Sequence, residues 1–357
     1  MYPRLNIDLE KLKHNTKTLL EMCRSKGISM SVVTKVFTAD PKLVAVLQDL
    51  SVDFLADSRL ENIANYPNKS TKTMLLRLPS IHNAVETVKT CDISFNSEIK
   101  TIHALGEAAK KVGLNHGIML MIDLGDLREG IYYTNQDLIF KTAADILSHP
   151  NLSLAGVGVN LTCYGSVLPT NHNLTTLCQI AKKIETKFDT KIDIISGGNS
   201  SSLYLLERDE MPKEVNNLRL GEALIRGMET AFGEYLPSLK QDVVTLEAEM
   251  VEIMEKPSMP FGELGMNAFG EKPTYTDKGV GKRAILAVGR QDIDQEGMTC
   301  LTPNVEIIGA SSDHLIVDIT NAGEFVVGDT LTFSLSYGAI LKGFTSNYVE
   351  RNYKEAL

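Results

Sequence analysis

Ser31-Val32-Val33-Thr34-Lys35 is the stretch on which the reading of this chain turns. Val32, Val33 and Thr34 are β-branched and stiff at χ1, which suits a pleated, buried segment. Loop-like Phe37-Thr38-Ala39-Asp40 follows, and then a helical pattern from Pro41 to Leu50. Strand, loop and helix in that order open an alternating architecture. Working outward, residues 1 to about 230 hold eight strand candidates: 29–35, 53–57, 73–78, 92–96, 117–123, 155–161, 191–197 and 217–220. Helical periodicity lies between them, as in Ser97 to Val112, where Ile102, Leu105, Ala109 and Val112 share a face. Eight strand–helix repeats imply a closed (β/α)8 TIM barrel, with a doubly wound open sheet as the competing arrangement.

Beyond Gly227 the texture changes. Thr245, Glu247 and Glu249 alternate with Leu246, Ala248 and Met250, the period of a half-buried antiparallel strand. Further runs at 283–288, 305–309, 315–319 and 330–335 are separated by turn residues such as Asn321-Ala322-Gly323. The expected division is a barrel over residues 1–235 and an antiparallel β domain over 236–357. Pro257 to Gly281, rich in Gly, Pro and Lys, reads as a long loop of the kind that is often functional.

A chain of 357 residues is too long for one small core. With 43% hydrophobic and 23% charged residues it has the balance of an ordinary globular protein. The net charge of −9 and pI near 5.4 argue against a nucleic-acid or anionic-membrane surface, since either needs a cationic footprint. Five scattered cysteines without a Cys-x-x-Cys pair suit a reducing compartment. No signal-peptide core and no membrane-length apolar run occur, so a cytoplasmic protein is expected.

The chemistry starts at Lys35. A lysine at the carboxyl end of a barrel strand stands where that fold places its reactions. A partly desolvated amine there can lose its proton and attack a carbonyl, although a solvated strand cap is the commoner role. Ser196-Gly197-Gly198-Asn199-Ser200-Ser201-Ser202 follows strand 7 and Arg219-Leu220-Gly221 falls at strand 8, where barrels commonly hold phosphate. The glycines let backbone approach an anion, and Asn199, Ser200 and Ser201 supply donors at a helix start. Amine and phosphate site together suggest pyridoxal 5'-phosphate, an aldehyde carrying a phosphate and held by a lysine as a Schiff base.

At this point five ordered motifs resemble the alanine-racemase-like, fold-type-III pyridoxal phosphate enzymes over essentially the whole length. They are Leu5 to Asn15, which looks like that family's entry to its first helix; Val32-Val33-Thr34-Lys35; Asp123-Leu124-Gly125-Asp126-Leu127-Arg128-Glu129-Gly130; Asn199-Ser200; and Arg219-x-Gly221. The wording of Gly262 to Gly265, Ala268 to Pro273, Gly289 to Asp292 and Gly309 to His314 is most similar to the ornithine racemase branch. The resemblance implies that Lys35 carries the cofactor and acts as acid and base on one face of the substrate Cα. It implies that Arg219 bonds the pyridine nitrogen, that Ser200 with the backbone of Gly198 and Gly221 binds phosphate, and that Asn160 sits near the ring. Arg128 would meet the substrate carboxylate or the cofactor phenolate oxygen, or else pair with Asp126 or Glu129. A head-to-tail homodimer is also implied, the β domain of one copy completing the site of the other.

Two departures from the family pattern bear on mechanism. Relatives often place a modified lysine two residues before the Asp of the strand-5 motif; here that residue is Met121. Their second base is the tyrosine of a Tyr-Gly unit; here the aligned unit is Phe269-Gly270, and Ser336-Tyr337-Gly338 lies too late. The substitutes are His314, in a loop with Ser312 and Asp313 that lines the site in relatives, then Tyr275, and third Cys300. For the distal ammonium of a diamino acid the candidates are Asp292 first, Asp313 and Glu222, each with the alternative of pairing to Arg226, Arg290 or Arg351. The implied function is interconversion of L- and D-ornithine by two-base Cα proton transfer. The alternatives are a racemase of lysine, alanine or serine, a non-catalytic pyridoxal phosphate carrier, and a metal-using D-amino-acid aldolase or dehydratase. His314-Leu315-Ile316 lacks the second ligand that last class needs, so no metal site is expected.

Overall fold

A computed structural model describes residues 1–354. The chain forms two compact units: Lys11–Gln241, and Met1–Glu10 together with the chain from Asp242 onward. The first ten residues, expected in the barrel, therefore belong to the β unit. In chain order the strands and helices are β1 (Arg4–Asp8), α1 (Leu9–Arg24), β2 (Ser29–Val33), α2 (Pro41–Asp49), β3 (Phe54–Asp57), α3 (Leu60–Ala64), β4 (Thr73–Leu75), α4 (Ala84–Thr90) and β5 (Ile93–Asn96). Next come α5 (Ile99–Val112), β6 (His116–Asp123), β7 (Ile131–Tyr132), α6 (Gln136–Ser148), β8 (Leu152–Gly158), α7 (Asn171–Phe188), β9 (Ile194–Ser196), α8 (Leu203–Glu207), β10 (Asn217–Leu220) and α9 (Glu222–Arg226). The remainder comprises β11 (Val244–Pro257), β12 (Val280–Leu286), β13 (Met298–Cys300), β14 (Glu306–Ala310), β15 (Leu315–Asp318), β16 (Thr330–Leu335), α10 (Tyr337–Thr345) and β17 (Glu350–Lys354).

Eight parallel strands close on themselves in the order β2-β3-β4-β5-β6-β8-β9-β10, and β10 returns to β2 through Leu218↔Met30 and Arg219↔Ser31. This is the (β/α)8 barrel, and all eight of its strands lie at positions expected from the alternating pattern. Its inner face is apolar along one side, where Ala56, Met74, Ile93, Phe95, Met119, Met121 and Ile194 pack together. The outer face meets the helices: Ile118, Leu120 and Ile122 pack with Ile102, Leu105, Ile139 and Ile146. Period 2 in the strands and 3.6 in the helices put these residues on facing surfaces. Asp40 caps α2 by accepting from the Lys42 and Leu43 amides at 3.1 and 3.3 Å, with Pro41 at the first helical position. Buried Asn15 on α1 donates to Leu224 O and Lys240 O and accepts from Lys240 N, holding the last turns of the unit against its first helix.

The second unit is antiparallel along β13-β16-β11-β12-β15-β14. Its long strand β11 shifts register between Met250 and Glu252, so one strand serves two curved sheets. Arg4–Asp8, expected as a helix entry, is a strand between β11 and β17. Leu5 and Ile7 are fully buried there, and this apolar edge pairing outweighs continuation of the helix that starts at Leu9. Residues 258–279 carry no regular element, as the Gly/Pro content suggested.

Candidate active site at the barrel mouth

Lys35 is half-buried and opens a 3-10 turn, Lys35–Phe37, directly beyond the carboxyl end of β2. The turn is held by Thr38 N to Lys35 O and Ala39 N to Thr34 O, both 3.1 Å. Thr38 and Ala39 have φ of 49° and 52°, left-handed values that cost non-glycine residues about 1–3 kcal/mol each. The turn is anchored from behind by a buried network. Thr34 Oγ1 bonds Asp57 Oδ2 at 2.6 Å and Tyr66 Oη at 2.9 Å, while Asp57 Oδ1 accepts from Arg59 N and Asn62 Nδ2, both at 2.9 Å. Burial raises the Asp57 carboxyl and the Tyr66 phenol above their ordinary pKa values, so Tyr66 stays protonated at neutral pH.

A column of polar side chains climbs the inside of the barrel on β2, β9 and β10. Asn217 Nδ2 donates to Ser29 Oγ and Ser31 Oγ at 3.1 and 2.9 Å, and Ser196 Oγ donates to Asn217 Oδ1 at 2.7 Å. Arg219 stands above it, 4% exposed, donating to Ser196 Oγ at 2.6 Å and to Val159 O at 2.7 Å. Its guanidinium also lies 5.2 Å from the centre of the Phe95 ring. Burial pushes its pKa down to about 10, so it remains a cation at neutral pH. The alternation Asn217, Arg219 against Leu218, Leu220 puts both polar groups on the inner face.

The loops after β9 and β10 meet beside this column. Gly198 has φ of +112°, and a Cβ there would lie 2.7 Å from Ser202 Oγ. Asn199 Oδ1 accepts from Ser201 N at 2.8 Å, and Asn199 Nδ2 reaches Leu161 O and Asn160 Oδ1 at 3.0 and 3.2 Å. Ser200 Oγ accepts from Ala223 N at 3.3 Å, tying the two loops together. At Gly221 a Cβ would come within 3.1 Å of Val33 O, two residues before Lys35. Ser201 Oγ is enclosed and has no partner among the described residues.

Arg128 is gripped by Glu129 through both Nε and a terminal nitrogen, the second contact at 2.6 Å. Glu129 also accepts from Asn160 Nδ2 at 2.9 Å. A chain of contacts thus runs Arg128–Glu129–Asn160–Asn199. Asp126, almost fully buried, accepts from the Cys163, Tyr164 and Val167 amides and so shapes the loop beyond β8.

A sequence profile for the family described as "Alanine racemase, N-terminal domain" matches residues 7–228. The chain belongs to this family. An ornithine racemase of Acetoanaerobium sticklandii is 46% identical over 352 residues, 98% of this chain and 99% of its own length. A lysine racemase of Thermotoga maritima is 36% identical over 359 residues, the full length of both. An alanine racemase of Bartonella henselae with covalently bound pyridoxal phosphate superposes with a TM-score of 0.75 at 16% identity, covering 99% of each chain.

Pyridoxal phosphate can be tested against the residues present in this member of the alanine racemase family. The partnerless Ser201 hydroxyl, the left-handed Gly198 and the side-chain-free Gly221 leave room and donors for an anion beside the turn that carries Lys35. The barrel unit therefore brings together Asn160, Gly198, Asn199, Ser200, Arg219 and Gly221, six of the positions expected from the family motifs, and carries Lys35 at the end of the adjoining strand. Met121, the position at which the family resemblance raised a modified lysine, is fully buried among the inner apolar residues. Glu129 takes over as the partner that holds Arg128. The sequence offered Glu129 only as a surface pairing; its side chain is just 12% exposed. Glu129, Asp126, Ser196, Phe95 and Asn217 were not singled out as site residues. For Ser196 and Asn217, alternation along their strands was the available signal.

Of the other expected residues, Glu222 opens α9 in the barrel unit and the rest lie in the β unit. His314 is exposed in the turn between β14 and β15, where its backbone closes on Ser311 at 2.9 Å. In the same turn Asp313 accepts from Gln291 Nε2 at 2.7 Å and from Ser312 Oγ at 3.1 Å. Tyr275 is exposed in the irregular stretch, and Phe269 lies under the Arg290 guanidinium at 4.2 Å. Tyr337 opens α10. Burial raises the Cys300 thiol, which disfavours a thiolate base. Each of the three carboxylates named for a cationic substrate has a partner within the chain, and Asp313, alone in being bonded only by neutral groups at an exposed turn, keeps an open side. Asp292 is 5% exposed and accepts from Ser346 Oγ at 2.8 Å; Glu222 pairs with Arg226 one helical turn on, at 2.5 Å; Asp313 has the partners just given. Among the described residues no helix is long and apolar enough to cross a membrane.

Proposed function

We propose that the protein is a pyridoxal phosphate-dependent amino-acid racemase that interconverts L- and D-ornithine. The observation that carries this reading is the 46% identity to the ornithine racemase along 98% of the chain. The whole-length match to a lysine racemase supports a substrate with a distal ammonium. When bound, pyridoxal phosphate acts as an electron sink that acidifies the Cα–H of an amino acid.

In this reading Ser200, Ser201 and the backbone of Gly198 and Gly221 hold the phosphate, and Asn199 fixes their loop. Arg219 faces the pyridine nitrogen. Its fixed charge, locked by Ser196 and Val159, disfavours a second positive charge on that nitrogen and so restrains side reactions. Lys35 carries the cofactor and moves the proton on one face of Cα. Arg128, set by Glu129, binds the substrate carboxylate as a planar fork. His314 is the base for the opposite face, with Tyr275 as the alternative. Asp313 is the carboxylate for the distal ammonium, because Asp292 is enclosed and satisfied. The β unit of a second copy supplies these groups in a head-to-tail homodimer of the cytoplasm.

Incubation with single amino acids in deuterated water, followed by chiral analysis, tests the reaction. Ornithine should exchange at Cα and racemise faster than lysine, alanine or serine; a protein inert toward all four would sink the proposal. Borohydride treatment of the loaded protein should fix a pyridoxyl mass on the Lys35 peptide. Replacement of Asp313 by Asn should raise KM for ornithine about tenfold while leaving alanine little changed.

A further inference from the structure

Three metal-binding side chains meet on the outside of the barrel, on helices that flank β6 and away from every residue assigned above. His103 on α5 places Nε2 2.9 Å from Asp145 Oδ1 on α6. His149, just past the end of α6, places Nε2 4.0 Å from the other oxygen, Asp145 Oδ2. The three groups can each turn one ligand atom to within 4.8 Å of the others. Asp145 Oδ2 and His149 Nε2 are both enclosed, and neither has a hydrogen-bond partner among the described residues. Two facing, buried, unsatisfied polar atoms are costly unless something lies between them. Their 4.0 Å separation is too long for a hydrogen bond. Ligands roughly 2.0–2.2 Å from one tetrahedral cation stand about 3.4 Å apart, so a small side-chain rotation that closes this gap by about half an ångström would seat one.

The surroundings are built for the histidine. The His149 ring occupies the space over Gly106 of α5, where any Cβ would come within 2.8 Å of three ring atoms. The two imidazoles sit edge to face at 5.0 Å between ring centres. His103 is half-exposed, which leaves one side open for entry and for water to complete the coordination.

We propose that His103, Asp145 and His149 form a site for a divalent transition-metal cation, zinc being the natural occupant of two imidazoles and a carboxylate. The cation would clamp α5 to α6 and so brace the two helices that enclose β6, the strand leading into the Arg128–Glu129 loop. It takes no part in proton transfer at Cα.

The test is zinc binding to the pyridoxal phosphate-loaded enzyme, read by competition with a chromophoric chelator and by thermal melting. Wild type should bind one more equivalent of zinc than His149→Gln or Asp145→Asn and should melt higher with zinc than without it. Both variants should lose affinity by at least about tenfold, the loss seen when even an outer partner of a metal site is removed. Metal-free racemase activity should be unchanged in them. His103→Gln alters a half-exposed side chain, keeps the fold intact if the buried replacements do not, and should lose the same equivalent. Cobalt added in place of zinc should give a visible ligand-field band in wild type alone. Equal zinc stoichiometry in wild type and all variants, or none in wild type, overturns the proposal. So does a wild-type melting temperature that zinc does not move.

Discussion

Arg219 shows how much one buried side chain does here. It joins β10 to β8 and β9 through Val159 O and Ser196 Oγ, and its ring contact with Phe95 reaches across the barrel. Lysine at this position would keep the charge but lose the planar fork. Arg219→Lys should cost about 2 kcal/mol in a denaturant melt, the worth of a hydrogen bond to a charged group. Racemisation should fall by about tenfold, equivalent to 1.4 kcal/mol at the transition state. Unchanged stability would mean that the column below does not depend on the guanidinium. His116 is a residue-scale pH sensor of a different kind. It is 1% exposed, bonded to Ser94 Oγ at 2.7 Å, and burial lowers its pKa to about 4 from 6.5. The folded state therefore binds fewer protons than the unfolded chain between those values. Stability from the neutral ring is fully present above pH 6.5 and is lost progressively as pH falls toward 4. By pH 5 the loss should be about 2 kcal/mol. Denaturant melts at pH 7 and pH 5 should show it, and His116→Gln should flatten the difference.

At the scale of elements, the mouth loops are set by a few backbone positions. The loop after β9 turns at Gly198, whose φ of +112° and 2.7 Å clearance to Ser202 Oγ exclude a side chain. Gly198→Ala should therefore weaken cofactor retention, read as apoenzyme after dialysis, while the far-ultraviolet spectrum stays native. Full retention would show that the loop tolerates the change and that phosphate is held elsewhere. The strained Lys35–Ala39 turn is positioned differently, by the Thr34–Asp57–Tyr66 network on the outer side of β2. One element presents its amine and the other its glycine to the same rim, which is why the reactive groups come from strands far apart in sequence.

At the scale of the whole molecule, the family-expected groups divide between two units: Lys35, Arg128 and Arg219 in one, His314, Tyr275 and Asp313 in the other. A head-to-tail dimer makes a prediction about mixing. Lys35→Ala and His314→Gln should each be nearly inactive alone. Random re-pairing of the two should restore about a quarter of wild-type activity, because half the dimers then hold one site with both groups intact. No recovery would argue that each chain completes its own site. Full activity of His314→Gln alone would transfer the second base to Tyr275.

The barrel was legible because its signal is repeated eight times. Short apolar runs such as Val32-Val33 and Leu120-Met121-Ile122 alternate with helices whose apolar residues recur at helical spacing, and each repeat checks the next. The loop after β9 and Lys35 stood out in the sequence for a similar reason, since Gly-Gly-Asn-Ser-Ser and a strand-end lysine have a recognisable chemistry in the residues themselves. Met1–Glu10 was misplaced because a strand's membership depends on the edge it pairs with, here β11 and β17 from the far end of the chain. Glu129 and Ser196 are common residues that acquire meaning only from neighbours distant in sequence, and the carboxylates Asp292 and Glu222 have partners, Ser346 and Arg226, that only the fold reveals. Local pattern determined which segments are strand or helix and which residue types can do chemistry. Long-range packing decided which charges meet, because a charge's role depends on the few ångströms around it and those are filled by other parts of the chain.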